Sequence, residues 1–384
     1  DILTIGSGEE GLYWYANLGN GQFTTEQAIN IPSSSSPNGD LPDPTAIRAA
    51  DVDGDGDIDV LATSRGGAFA PDELVWYENM GAGNFGSKQV ITDTNAISIY
   101  SDIRAVDIDN DADLDIVTAS PSTTGSIAIF ENQGNGVFDP PTFIDVFEGV
   151  DQLFLADFDN DNDLDLVHSS RGLDFCQILA NTGNGVFAPP QELNAITRSS
   201  LGVYGADLND DGNLDLLTGS IDDHKVAWTP GNGNLTFQDQ KVLTHNLAQP
   251  ESVQLGDYDG DGDLDMAVTS APDNRLAWFE NLGNGQMSEQ IVISDTSENA
   301  GFLRNIDYDD DGDLDLLVEL TAGPGNSQRL LQVYVNQSGV FSSGPVLTNA
   351  VSNPITDLEM ADLDQDNDLD IVFARQSSAG IFWI

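Results

Sequence analysis

One nine-residue pattern of alternating acids recurs seven times: DVDGDGDID at 51–59, DIDNDADLD at 107–115, DFDNDNDLD at 157–165, DLNDDGNLD at 207–215, DYDGDGDLD at 257–265, DYDDDGDLD at 307–315 and DLDQDNDLD at 362–370. Successive starts are 56, 50, 50, 50, 50 and 55 residues apart. The chain is therefore an array of one supersecondary unit. Each pattern is followed by a short apolar run, such as DIVTAS at 115–120, and then by a run that ends in a turn, as in LAWFENLGNG at 276–285. That turn recurs as NLGNG at 17–21, NMGAG at 79–83, NQGNG at 132–136 and NTGNG at 181–185.

Four strand-like pieces fall in each period: one before the acids (AIRAA, 46–50), one after them, the aromatic one, and a polar-alternating one such as QVIT at 89–92. All are rich in β-branched or aromatic residues and are bounded by Gly, Asn, Asp and Pro. No segment holds a helical period. The strand after the acids is apolar on both faces, as a strand between two neighbouring sheets requires, while the fourth alternates and reads as a wetter outer edge. Four antiparallel strands per period predict an all-β chain, a β-propeller of four-stranded antiparallel blades. A β-helix would need a much shorter coil, and a sandwich would not repeat its loop chemistry seven times.

The whole chain, 1–384, reads as a single propeller domain, with repeats near 1–44, 45–100, 101–150, 151–200, 201–250, 251–300, 301–355 and 356–384, the first and last partial. DILTI at 1–5 aligns with the strand that follows an acid run, and GIFWI at 380–384 aligns with GLYWY at 11–15. Seven full periods plus this overlap give about 30 strands, where seven four-stranded blades need about 28 and eight about 32. The expectation is seven acidic loops in eight blades with incomplete ends, seven blades being the alternative. A start at Asp1, with no Met and no apolar leader, is expected of a processed piece of a longer protein.

Charge narrows the partners. With 65 Asp+Glu against 12 Lys+Arg, the formal charge is −53. A polyanion of this density is repelled by nucleic-acid phosphates and anionic lipid, which excludes nucleic-acid binding. No apolar run approaches the roughly 18 residues of a membrane span, which excludes membrane insertion. Five Trp, eight Tyr and 17 Phe, beside many Val, Ile and Leu, supply a core that an acidic disordered chain would lack. Cys176 is alone and forms no internal disulfide, so a metal is the natural staple.

Carboxylates at positions 1, 3 and 5 of the pattern, with another at 9, converge on one point if the intervening chain turns tightly. Position 6 is Gly56, Ala112, Asn162, Gly212, Gly262, Gly312 or Asn367, each small or turn-favouring. Hard oxygens in this number, without His or Cys, suit Ca²⁺ far better than Zn²⁺. Two carboxylates about 4 Å apart repel by about 4 kcal/mol at a protein-surface dielectric, so without a cation each loop should splay. An EF-hand is excluded because position 12 is Ala62, Thr118, His168, Thr218, Val268, Val318 or Phe373, where that loop needs Glu.

These loops, with the aromatic-strand segments around Trp14, Trp76, Trp278 and, more loosely, Trp228, resemble the FG-GAP/VCBS repeat proteins, which include the calcium-loop blades of integrin α-subunit propellers. The resemblance covers essentially the whole chain. It implies one Ca²⁺ per loop, about seven in all, held by the side chains at positions 1, 3, 5 and 9 and the backbone carbonyl of position 7. Carried over, it nominates Asp51, Asp53, Asp55, Asp57 and Asp59; Asp107, Asp109, Asp111, Asp113 and Asp115; Asp157, Asp159, Asp161, Asp163 and Asp165; and Asp207, Asn209, Asp211, Asn213 and Asp215. The later loops contribute Asp257, Asp259, Asp261, Asp263 and Asp265; Asp307, Asp309, Asp311, Asp313 and Asp315; and Asp362, Asp364, Asp366, Asp368 and Asp370. The fourth loop departs most, with Asn at positions 3 and 7, and is expected to be the weakest site.

The patterns hold 35 of the 65 acids, so the remainder coat the surface and suggest a saline or calcium-rich setting. Sites of the extracellular kind, with Kd around 10⁻⁴–10⁻³ M, would stay empty in cytosol, which predicts secretion or cell-surface display. Beyond calcium, the three histidines His168, His224 and His245 fall in different repeats, His168 at a buried-strand position, and no nucleophile elbow, phosphate loop or zinc spacing occurs. No catalytic residue is nominated. The third residue before each acid run varies: Arg48, Arg104, Phe154, Tyr204, Gln254, Arg304 and Glu359. This ring is read first as contacts between blades and alternatively as a lining of the central channel. Insertions at 33–44, 66–72 and 321–328 break the spacing and offer either a ligand-facing edge or plain surface loops. The recurring aromatics of the third strand are read as interblade packing rather than a sugar-stacking surface. The functional expectation is an extracellular, calcium-stabilised binding or adhesion scaffold for protein or glycan partners. The alternatives are a polysaccharide-active, lyase-like enzyme or lectin module, and a structural spacer of a large surface protein.

Overall fold

The computed structural model describes residues 2–6, 11–15, 27–28, 41, 44–64, 72–81, 84–93, 102–120, 126–146, 149–150, 152–170, 174–196, 200–244, 247–283, 285–296, 299–309, 311–321, 329–347, 355–361, 370–375 and 381–383. Thirty strands and no helix are found among them. Consecutive strands pair antiparallel into eight separate sheets. The first is three-stranded: β1 (Ile2–Gly6), β2 (Gly11–Tyr15) and β3 (Gln27–Ala28). Six four-stranded sheets follow. They are β4 (Pro44–Ala50) to β7 (Gln89–Thr92), through β5 (Asp59–Ser64) and β6 (Glu73–Tyr77); and β8 (Asp102–Val106) to β11 (Thr142–Asp145), through β9 (Asp115–Ala119) and β10 (Ser126–Phe130). The third runs from β12 (Gln152–Ala156) through β13 (Asp165–Ser169) and β14 (Phe175–Leu179) to β15 (Gln191–Ile196), and the fourth from β16 (Ser200–Ala206) through β17 (Asp215–Ser220) and β18 (Lys225–Thr229) to β19 (Lys241–Thr244). The last two comprise β20 (Pro250–Gly256), β21 (Asp265–Ser270), β22 (Arg275–Phe279) and β23 (Ile291–Ser294), then β24 (Leu303–Ile306), β25 (Asp315–Thr321), β26 (Arg329–Val335) and β27 (Ser342–Val346). A final three-stranded sheet holds β28 (Ile355–Ala361), β29 (Asp370–Arg375) and β30 (Ile381–Trp383).

The pattern of apolar residues explains the order of strands in each sheet. Every residue of β5, β9, β13, β17, β21 and β25 is buried, because these second strands are covered on both faces by neighbouring sheets. The fourth strands β11, β23 and β27 are largely exposed. First strands of successive sheets lie side by side, β4 against β8, β12 against β16 and β20 against β24, which makes them the innermost strands. The core is thus a series of seams. In one, Leu61, Leu74 and Trp76 of the β4–β7 sheet pack on Ile103, Ile116 and Phe130 of the next. In another, Leu217, Val226 and Trp228 meet Val253, Met266 and Phe279. Burying a side chain of this size contributes about 1.5–3 kcal/mol.

The aromatic residues of the third strands behave as packing groups. Trp76, Trp228 and Trp278 are nearly fully buried. A Cβ on Gly136 would overlap Trp76, and one on Gly285 would overlap Trp228, so these turn glycines of the following sheet are needed for the indole to close the seam. The insertions at 33–44 and 66–72, and 322–328 of the third, lie largely outside the described residues, as does His245.

Candidate metal centres

Each of the first six Asp runs leaves a first strand, turns tightly, and enters a second. The turn is set by backbone that passes through the left-handed region at positions 4 and 6: Gly54 and Gly56, Asn110 and Ala112, Asn160 and Asn162, Asp210 and Gly212, and Gly260 and Gly262 all have φ between 55° and 98°. Glycine and Asn tolerate that region, which explains their spacing in the pattern. The position 1 carboxylate closes the turn. Asp51 accepts from the Gly54 and Gly56 N–H groups at 2.9 and 3.0 Å, and Asp107 accepts from Asp111 and Ala112 at 3.1 and 3.0 Å.

Position 9 is a fully buried aspartate that opens the second strand. One oxygen accepts the N–H of position 2 and the other accepts the N–H of a residue one or two places past the end of the third strand. Asp115 does so from Ile108 (3.0 Å) and Asn132 (2.7 Å), and Asp265 from Tyr258 (2.9 Å) and Asn281 (2.7 Å). Asp59, Asp165, Asp215 and Asp315 repeat the arrangement. Position 9 therefore locks the loop to two strands and still presents lone pairs to the loop centre.

The carboxylates come together as a metal site needs. Oxygens of Asp51, Asp53 and Asp59 lie within 4.8 Å of one another, and so do those of Asp107, Asp109 and Asp115, of Asp157, Asp159 and Asp165, and of Asp257, Asp259 and Asp265. In the sixth loop the group is Asp307, Asp309 and Asp311. Positions 1, 3 and 9 thus form the common triad. Position 5 is turned toward the loop backbone: Asp55, Asp111, Asp161 and Asp261 accept the N–H of position 7 at 2.8–2.9 Å. The position 7 side chains point to the neighbouring turn. Asp163 accepts from Asn110 of the preceding loop at 2.7 Å, Asp313 accepts from the Ser338 N–H at 2.7 Å, and Asp57, Asp113 and Asp263 lie against Gly81, Gly134 and Gly283.

The electrostatics of these triads call for a cation. Burial, followed by the neighbouring aspartates, pushes the carboxyls of Asp115, Asp165 and Asp265 up to about 6, and raises Asp59 and Asp315. Asp53, Asp109, Asp159 and Asp259 are raised by the same two causes. Buried Oδ1 atoms of Asp159 and Asp307 have no hydrogen-bond partner. All donors are hard oxygens, so the residues fit Ca²⁺, and several clusters can hold a metal ion.

The fourth loop is built differently. Its Asn209 turns its amide Nδ2 to the two oxygens of Asp215, at 3.3 and 3.2 Å, so a neutral donor stands where the other loops place a third carboxylate. Asp207 and Asp211 keep their places in the turn, with the Asp211 N–H donating to Asp207 and the Asn213 N–H to Asp211. Asp362, Asp364, Asp366 and Asp368 lie outside the described residues, as does the side chain of Asp370.

An asparagine in the third-strand turn belongs to this architecture although sequence reasoning assigned it no role. Asn132 Nδ2 donates to the Leu114 carbonyl of its own loop (3.1 Å) and to the Val52 carbonyl of the preceding loop (2.7 Å), while its Oδ1 accepts from Gly134 N–H (3.1 Å). Asn181, Asn281 and Asn336 reach back likewise to Ile108, Leu208 and Tyr258. The signal was present as an Asn 16 to 21 residues after each position 9. In the fourth repeat that place is Gly231, where a Cβ would overlap the Leu214 carbonyl. His168 is fully buried, bonded through Nε2 to Gln177 at 3.1 Å, and its burial holds its pKa down to about 4; it is a packed residue.

The sequence profile of an FG-GAP-like repeat matches residues 1–62, 51–118, 107–168, 207–268 and 307–373, more than half of the chain. The chain belongs to the FG-GAP-like repeat family. No curated protein matches it significantly in sequence. Among solved structures, this FG-GAP-like repeat chain resembles an Agrocybe aegerita lectin whose structure concerns recognition of non-reducing terminal N-acetylglucosamine, with TM-score 0.58 and 18% identity over 89% of this chain and 87% of that one. It also resembles Sqt1 of Saccharomyces cerevisiae, with TM-score 0.61 and 12% identity over 99% and 91%. A third is BBS1N in complex with ARL6DN, with TM-score 0.51 and 14% identity over 88% and 91%. At these identities the likeness concerns the fold, and the FG-GAP-like repeats are a β-propeller. No helix among the described residues is long and apolar enough to cross a membrane.

Proposed function

We propose that this chain is an extracellular, calcium-stabilised β-propeller that serves as a rigid binding or adhesion scaffold for protein or glycan partners. The repeated carboxylate triad carries the reading: a buried, hydrogen-bonded aspartate at position 9 and acids at positions 1 and 3 repel one another in four loops unless a cation joins them. Calcium in this role is structural. It pins the turn between the first two strands of a sheet, and folding free energy becomes linked to free Ca²⁺. Sites with the affinity of extracellular modules, about 10⁻⁴–10⁻³ M, would fill only where calcium is millimolar, which supports the reading of a secreted or surface-displayed protein.

The test is thermal unfolding in millimolar calcium and in chelator, with bound ions counted by native mass spectrometry. The expected result is about seven ions in millimolar calcium, the fourth loop holding its ion most weakly, and a large loss of stability on chelation. Equal melting with no bound ions would overturn the calcium reading and the extracellular assignment that rests on it. A glycan-binding module is the version favoured by the Agrocybe aegerita lectin's similar fold. A glycan array run in calcium addresses it directly.

A further inference from the structure

Cations are few in this chain and unevenly placed. Against 65 acids stand 12 Lys and Arg, and none of the eight with described side chains belongs to an Asp loop. Arg48, Arg104 and Arg304 lie on the innermost strands β4, β8 and β24. Lys225, Arg275 and Arg329 open the third strands β18, β22 and β26, at the end of each sheet away from the loops.

Arg48 and Arg104 share one carboxylate. Asp102 begins β8, also at the end remote from the Asp loop, and is nearly buried. Its Oδ1 is 3.4 Å from Arg48 Nη2 and its Oδ2 is 2.9 Å from Arg104 Nη2. The Leu153 N–H of β12, the next innermost strand, also donates to Oδ2 at 3.5 Å. Three consecutive innermost strands therefore meet on Asp102. Arg48 is further fixed by donation from Nη1 to the Ile47 carbonyl at 2.8 Å. Two guanidiniums face one carboxylate, so one positive charge is left over within the cluster, and the two side chains remain 41% and 42% exposed. One arginine would have sufficed to pair Asp102. A second, oriented and open to solvent, leaves forked N–H donors of the kind that match a carboxylate or sulfate.

We infer that the Arg48–Asp102–Arg104 cluster, on the adjoining innermost strands β4 and β8, binds an oxyanion carried by a saccharide. This inference rests on the scaffold reading and names the ligand class of this cluster. The overall charge of −53 repels a polyanion, so the ligand carries isolated charges, a uronate or a single sulfate, and calcium loading strengthens its binding.

The experiment is calorimetric titration of the calcium-loaded protein with a disaccharide carrying a single uronate, with a monosulfated disaccharide and with lactose as the neutral control. At least one charged sugar is expected to bind more tightly than lactose, its identity distinguishing uronate from sulfate. Arg104→Gln and Arg48→Gln are each expected to weaken that sugar about tenfold or more, while Arg329→Gln, at the start of β26 in another sheet, changes it less than about twofold. Arg104→Lys, which keeps the charge but loses the fork, should give an intermediate value, and thermal unfolding in calcium checks that each variant is folded. Charged sugars no better than lactose, or affinity retained in both glutamine variants, would overturn the inference. Lactose binding alone would do so while leaving the scaffold reading in place.

Discussion

At the scale of single residues, the Asp run is legible because its chemistry is local. Nine residues contain the acids, the small residues between them and hence the candidate ligands. The sequence alone could not show how the acids divide their contacts: oxygens of positions 1, 3 and 9 gather in four loops and those of positions 1, 3 and 5 in the sixth, while the position 5 acids Asp55 and Asp111 also accept an N–H of their own turns. Position 6 offers a clean test. Ala112 sits at φ 79° where the first, fourth, fifth and sixth loops have Gly. Ala112→Gly should stabilise the protein by about 0.5–1 kcal/mol, since relief of left-handed strain exceeds the entropy cost of glycine; denaturant unfolding in calcium measures it. The fourth loop offers another. Asn209→Asp replaces the amide that neutralises Asp215 with the missing carboxylate. Native mass spectrometry at low free calcium should then show one more retained ion than in the parent protein, and an unchanged count would argue that Asn209 is not what weakens that loop.

Between elements, the strands were readable from alternation and β-branching, and each second strand from its unbroken apolar run. The seams were not readable, because their partners are about 50 to 80 residues apart. Asn132 reaches the Val52 carbonyl across 80 residues, and Asn110 reaches Asp163 across 53. Asn132→Ala would strand two buried carbonyls and one N–H, a loss of about 2–4 kcal/mol. Asn79→Ala, which among the described residues forfeits a bond to the Ile58 carbonyl and one from the Gly81 N–H, should cost about half as much. Equilibrium unfolding of the pair tests whether reaching back to the previous sheet is what makes this residue matter. Gly231 leaves the seam between the β12–β15 and β16–β19 sheets without the asparagine tie that the two flanking seams have, and hydrogen exchange should find amides there faster to open than at the seams tied by Asn181 and Asn281.

For the whole molecule, the proposed calcium sites would set protons and the ion in competition for the same buried carboxyls. Burial lifts Asp115, Asp165, Asp215 and Asp265 to about 6 from an ordinary 3.8. In chelator the folded state thus binds more protons than the unfolded between about pH 4 and 6, and these groups add stability as pH falls through that window. His168 acts oppositely: its pKa is held down to about 4 from 6.5, so its contribution is complete above pH 6.5 and is lost toward pH 4. With four such carboxyls against one histidine, the melting temperature in chelator should rise from pH 7 to 5. In millimolar calcium the carboxyls are held ionised, and the melting temperature should fall over the same range as protons displace the ion. Identical profiles in the two conditions would contradict metal binding at position 9. A separate consequence lies in the reach-back asparagine. The periods around Asn132, Asn181, Asn281 and Asn336 each carry a hand that grips the unit before it, and each hand closes on the same kind of carbonyl. A period of this kind gained or lost by duplication or deletion would leave its neighbours' grips matched, so the number of repeats is free to change while those joints stay chemically the same.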